Sequence, residues 1–564
     1  GLNWTTLRAP YAADFDWIGA SLIARELGNT LSNQQRKTLT FEMDFTQLYS
    51  KSRFLRAIED ENPAAPKAPR DPKDTTKRKR DRNEPLVLSP GAKFAGRFLT
   101  MVKRAKLEYS EVAGATIYGY TDSTRALGMN FRSGAPGLPF IFGKQPDTSF
   151  ISTMAQKGWL SADSNFNFQN RQDYTQRFNI TAQLQPIRDL MIDITIDKQF
   201  GKNYSELYKD TTGTGLHFAR LNPYSAGSFR VTYISFQTLF QKVEANSVSD
   251  IFQRFQDYRY ILSKRLAESN PYWQALPETE KFLSDGYYRG YSRYAQDVLI
   301  PAFIAAYTGK SPESVPLLKQ NNPNIRSNPF SGILPKPNWR ITYTGLTRIK
   351  ALEKIFTNFT VTHGYNSTLG MNSFNSALLY RDDLRYGFPG FLDSAGNYVP
   401  YFLVPNITIS EEFSPLIDLD MQFTNQLTAR FEYKKSRTLS LSLIDYQLSE
   451  TRSTEFLIGA GFRKRGAFSW IKWKGKPLEN DASFRLDLSV RDDITANSRL
   501  DQEQTLPTNG AKTIFINPSV DYVISNRVNV KLYFEQRRVT PKISSSPPIT
   551  NTRAGVQVRI SLAQ

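Results

Sequence analysis

The sequence contains no cysteine, which excludes disulfides, thiol catalysis and Cys-ligated zinc. Its two histidines, His217 and His363, have no carboxylate or second histidine at metal-ligand spacing. A Ser-His-acid site on His363 would have to use "TVTHGY", where the histidine sits in a strand pattern among threonines. No apolar run reaches the roughly 18 residues of a spanning helix. The longest, "VLIPAFIAAY" at 298–307, is interrupted by Pro301. Helical membrane spans are therefore excluded, whereas barrel strands, which need only about 9 to 11 alternating residues each, stay open. The opening "GLNWTTLRAPYAADFDW" has no Met, no basic region and no apolar leader, so the chain reads as part of something longer or as a matured product.

What is present is aromatic and basic. The 564 residues are 40% hydrophobic and 13% aromatic, with 38 Phe, 28 Tyr and 7 Trp. That richness suits strands and the aromatic girdles of membrane barrels. The formal charge is +19. The clearest basic run, "PKAPRDPKDTTKRKRDR" at 66–82, lacks interleaved aromatics to stack bases, so it reads as a solvated loop within 58–90 and not as a nucleic-acid site. "YTGKS" imitates the end of a phosphate loop, but Ile304 stands where its first glycine is required. No cofactor or metal site is expected.

Period-2 alternation recurs along the chain. "YTQRFNITAQL" alternates Phe178, Ile180, Ala182 and Leu184 with Arg177, Asn179, Thr181 and Gln183. After "QPIRD", "LMIDITID" resumes with Leu190, Ile192, Ile194 and Ile196, the second half of a hairpin. The device repeats at "MQFTNQLTARFEY" and "YVISNRVNVKLYFEQ", and the last strand, "NTRAGVQVRISLAQ", places Val556, Val558 and Ile560 opposite Gln557 and Arg559. About fourteen to sixteen strands are expected, among them Phe229 to Phe240, with long polar loops such as 381–405 and 492–511. One block departs from this rhythm: "SVSDIFQRFQDYRYILSKRLAE" has helical spacing. The expected organisation is strands over 1–240, a helical insertion at 241–336 forming an extracellular cap, and strands over 337–564. The fold class is all-β, a transmembrane antiparallel outer-membrane β-barrel with long loops.

Five motifs carry a resemblance: "SGAPGLPFIFG" (133–143), "DVLIPAFIAAYTGK" (297–310), "PNWRITYTGL" (337–346), "KKSRTLSLSL" (434–443) and "NTRAGVQVRISL" (551–562). In this order they resemble the SprA/Sov family, outer-membrane translocons of the type IX secretion system. The resemblance implies part of a very large barrel that exports folded proteins and no enzymatic activity. Implied partners are a small cargo-collecting barrel at a lateral opening, a periplasmic plug protein, the remaining N-terminal part of the barrel, secreted cargo and outer-membrane lipid, with no nucleic acid. Nutrient-uptake or adhesin barrels and an outer-membrane hydrolase are the competing readings. Alternation alone assigns Arg177, Gln183, Arg485, Lys531 and Arg559 to the lumen. It assigns Leu190, Ile194, Phe431, Leu486, Val530 and Val558 to lipid.

Overall fold

The computed structural model describes residues 3–59, 88–241, 249–319, 324–473, 475–502, 504–525, 527–543 and 546–560. The basic run 66–82 lies outside them. Nineteen strands occur among the described residues: β1 (Thr5–Arg8), β2 (Tyr11–Ile18), β3 (Asn29–Asp44), β4 (Val102–Tyr120), β5 (Asn170–Ile187), β6 (Leu190–Asp210), β7 (Phe218–Thr232), β8 (Asn338–Tyr343), β9 (Phe356–Ser376), β10 (Phe402–Leu403), β11 (Asn406–Phe423), β12 (Leu427–Ser442), β13 (Gln447–Arg465), β14 (Phe468–Trp473), β15 (Lys476–Leu478), β16 (Asp481–Arg499), β17 (Gln504–Ser525), β18 (Val528–Pro541) and β19 (Ile549–Ile560). All but the β14–β15 hairpin belong to one antiparallel sheet of seventeen strands.

Three positions in this sheet are each shared by two strands, so seventeen strands fill fourteen places. β1 and β2 lie end to end along β3. β10 and β11 do so along β9. β7 and β8 together fill the place between β6 and β9, with Lys198–Asp210 of β6 paired to β7 and Leu190–Thr195 paired to β8. β17 has 22 residues, about twice what a membrane crossing needs. Sheet order then follows the hairpins, because an antiparallel neighbour is one short turn away.

Calling the end at the β5–β6 turn the lower one, the connections there at 188–189 and 424–426 are tight, and Ser525 is directly paired with Val528. Asp189 adopts the left-handed φ of 64° that such a turn requires and that a short polar side chain tolerates. Longer connections, 121–169 and 377–401, gather at the upper end, although the link between β3 and β4 is long and lower.

Two expectations change. Residues 492–511 are not a loop: they complete β16 and begin β17, and only 500–503 connect them. Polar residues there fall on both strand faces, as the consecutive Asp492 and Asp493 do, and without a clean alternation they imitated a loop. The insertion starts at 233, since β7 ends at Thr232 instead of running through 229–240. It leaves from the middle of the wall, between the two halves of one strand position, and Lys336 N donates to Thr232 O at 2.8 Å where it returns.

The insertion has its own helices. Asp250–Ser269 begins where Ser249 Oγ accepts from Phe252 N at 3.2 Å. Gln296–Thr308 is buried on all sides and ends on Gly309 at a left-handed φ of 67°. That glycine of "YTGKS" is a helix stop. Both helices press on the upper half of one sheet face, where Phe200, Phe229, Val231, Leu369, Met371, Ile409, Leu439 and Leu441 join them in the main core. A second cluster forms where the segment after β4, including Phe140, Ile151 and Met154, covers Leu31, Ala115 and Ile117.

Candidate functional site: a two-faced wall and a buried anchor

Directly opposed residues of an antiparallel ladder share a face, so the registers carry each face from strand to strand. One row runs Leu190, Tyr343, Val361, Leu419, Phe431, Ile458, Leu488 and Ile516 across eight neighbouring places. The same parity holds Ile194, Leu486, Val530 and Val558, the last two directly opposed. All six residues read from alternation as lipid-facing therefore share one face. Arg177, Gln183, Arg485, Lys531 and Arg559 have the opposite parity and share the other.

The apolar face has a boundary at each side. A lower aromatic row contains Phe423 against Phe356 at 4.6 Å and Phe359 against Phe356 at 5.0 Å. An upper row contains Trp339, Tyr365 and Phe413 at 4.8 Å spacings and the stacked pair Tyr433–Phe456 at 4.5 Å. From Phe356 to Tyr365 on β9 is about 30 Å of strand at a rise of ~3.3 Å per residue. A tilt of ~40° reduces this to roughly 23 Å, close to the ~25 Å apolar band of outer-membrane barrels. Between the rows the aliphatics lack protein cover, with Ile458 49% exposed. A contiguous apolar surface of this extent is untenable in water.

The polar face is laced with ion pairs. Arg430 bridges Asp418 at 3.1 Å and Glu432 at 3.3 Å, and Lys434 reaches Glu432 at 3.2 Å. Lys106 pairs with Glu108 at 3.2 Å and Arg491 with Asp493 at 2.9 Å. Glu432 is buried beneath its two cations, whereas the more exposed pairs add little stability; together they make a charged surface with cations and carboxylates interspersed.

A third feature was not legible in the sequence. Where the insertion leaves β7, Arg437 of β12 and Glu411 of β11 form a fully buried ion pair on the apolar face. Ser235 Oγ donates to Glu411 at 2.7 Å, Tyr365 OH donates to it at 3.2 Å, and Arg437 donates to Thr238 Oγ1 at 2.8 Å. Thr238 in turn donates to the Tyr307 carbonyl at 2.8 Å. The cluster thus ties the first residues of the insertion and its central helix to the wall at the level of the upper aromatic row. Deeper in the insertion, burial pushes the Tyr291 hydroxyl far above the ordinary phenol range. It remains protonated and accepts from Asn270 Nδ2 at 3.0 Å.

His363 lies on the apolar face, its Nδ1 2.7 Å from the Leu416 carbonyl and its ring beside Phe413. His217 sits at the far, upper end of the sheet in the β6–β7 connection, so the two are not brought together. The insertion lies on the apolar face, not over the polar one. The split strand position delivers the chain onto this face of the sheet at mid-height, which is where the insertion packs.

A scan of protein-family models returns no match, and a search of curated proteins returns none. Among solved structures, the RagAB peptide transporter aligns at 8% identity over 96% of this chain and 49% of its own, with a TM-score of 0.26. The chain thus spans about half the length of that structure. An anion-selective porin from Comamonas acidovorans aligns at 8% identity over 70% of this chain and 93% of its own, with a TM-score of 0.10. At such distances the fold assignment rests on the molecule itself: a two-faced antiparallel sheet of outer-membrane β-barrel type.

Proposed function

We propose that the chain is part of the wall of an outer-membrane protein-export conduit, of the kind implied by its resemblance to the SprA/Sov translocons. The supporting observation is the open, two-faced sheet. Its apolar band has the height of a membrane, its other face is wet and ion-paired, and among the described residues β19 is laddered to β18 alone and β1–β2 to β3 alone. In bilayer hydrocarbon an unpaired strand edge leaves backbone donors and acceptors unsatisfied, at several kcal/mol each by rough estimate. Further strands must seal both edges, and the remaining N-terminal part of a larger barrel is the proposed source. The lumen is then lined by Arg177, Gln183, Arg485, Lys531 and Arg559, and secreted protein cargo is the solute. A cargo-collecting barrel and a periplasmic plug are the proposed docking partners.

Depletion of this chain in its native cell is the test. Folded cargo carrying the C-terminal secretion signal should accumulate in the periplasm, while uptake of small nutrients continues. Unchanged export would overturn the reading, as would a map of the intact complex in which fourteen strands close on themselves. Replacement of both His217 and His363 by Ala should leave export intact, which separates a conduit from a His-dependent hydrolase.

A further inference from the structure

The β14–β15 hairpin belongs neither to the sheet nor to the insertion. It projects from the lower end between β13 and β16, and its base is fixed by Gly466 N donating to Asn480 O at 3.2 Å and Asn480 Nδ2 to Ile524 O at 2.7 Å. Phe468 sets its direction. Its ring lies 5.3 Å from Tyr522, edge on, and 6.0 Å from Phe484. Both partners have the parity of the apolar face, so the hairpin folds toward that side of the wall and continues its lower aromatic row. Beyond this contact Trp470 is left bare at 77% exposure, and Ile471 beside it is 36% exposed.

The surrounding charge has one sign. The segment "RKRGAFSWIKWKGKPLEND", 463–481, carries six cations against Glu479 and Asp481. Arg463 is tied to Asp481, while Lys464, Arg465 and Lys472 are exposed. Bare Trp beside Lys and Arg, at the rim of a membrane-high apolar band, is the composition of a segment lying at the headgroup level of an anionic leaflet.

We propose that this hairpin is an interfacial anchor whose Trp470 and Ile471 lie among the headgroups of an anionic phospholipid leaflet, with Lys464, Arg465 and Lys472 against the phosphates. The proposal rests on the reading of the apolar face as a membrane face, and its test separates the two. The native chain has no cysteine, so Ile471→Cys and, in the apolar band, Leu488→Cys can each take an environment-sensitive fluorophore. The full chain, assembled in its complex, is placed in phosphatidylcholine vesicles with or without phosphatidylglycerol.

The probe at 471 should be quenched by lipids bearing a nitroxide near the headgroup and shielded from aqueous iodide, and the probe at 488 by lipids with a deep nitroxide. Quenching at 471 should weaken when phosphatidylglycerol is omitted and be lost in a Trp470→Ser background. Lipid quenching at 488 with iodide quenching at 471 overturns the anchor alone. Protection of 471 from both quenchers means a protein covers the hairpin, which also overturns it. Failure of lipid quenching at both positions overturns the membrane face itself.

Discussion

At the residue scale the sharpest contrast is between neighbours on one strand. Leu488 lies in the middle of the apolar band, and Ser489 points to the ion-paired face. Arginine at a lipid-facing site near mid-membrane costs about 2 to 4 kcal/mol, whereas lumen substitutions are tolerated. Leu488→Arg is therefore expected to reduce folding into vesicles by that amount in denaturant titrations, and Ser489→Arg to leave it nearly unchanged. Equal effects would mean that the two faces are wrongly assigned. The buried pair makes a second case. Arg437→Met leaves the Glu411 carboxylate sealed in the core without its cation, at a cost of about 3 to 5 kcal/mol. Adding Glu411→Leu removes the orphaned charge, so the double variant should recover most of the loss. If the double variant is worse than the single one, the pair itself holds the insertion in place.

At the scale of elements, what could be read from the sequence depended on whether one strand made one crossing. The hairpins around "QPIRD" and Ser525 were legible because each has a short turn between two clean alternations. The eleven facing assignments sort by parity for the same reason. β7 and β8 were opaque, since two short strands in one position do not reverse the chain between them. A strand count across them from the "QPIRD" end therefore gives the wrong side for everything that follows. The long upper halves of β16 and β17 were hidden by their polarity, and the Arg437–Glu411 cluster by residue separation, as its members come from five segments between 235 and 437. The insertion was legible in its helices but not in its docking. Phe303, completely buried in the helix Gln296–Thr308 and edge-on to Phe255 at 6.4 Å, tests that docking. Phe303→Ala should cost about 3 to 5 kcal/mol. Limited proteolysis should then cut within 233–337 while the sheet ladder keeps its β-sheet circular dichroism.

At the scale of the whole molecule the remaining question is which side of the membrane each end occupies. Tight turns mark the periplasmic end of outer-membrane barrels and long segments the outside. On the proposed reading, the turns at 188–189 and 424–426 and that between the paired Ser525 and Val528 would put the lower end in the periplasm, and the upper half with its insertion outside. The long link between β3 and β4 runs against this rule, so the polarity needs direct measurement. Asp285 lies exposed in the insertion, its carboxylate paired with Arg293 at 3.0 Å and accepting from Tyr287 N at 3.2 Å, and Arg527 is exposed at the lower end. Single Asp285→Cys and Arg527→Cys variants can be treated on intact cells with a membrane-impermeant thiol reagent, against the cysteine-free background. Labelling is expected at 285 and not at 527, and permeabilising the outer membrane should make 527 reactive. The reverse pattern would turn the sheet over in the membrane and put the insertion in the periplasm. The anchor hairpin, at the opposite end from the insertion, would then face the outer leaflet.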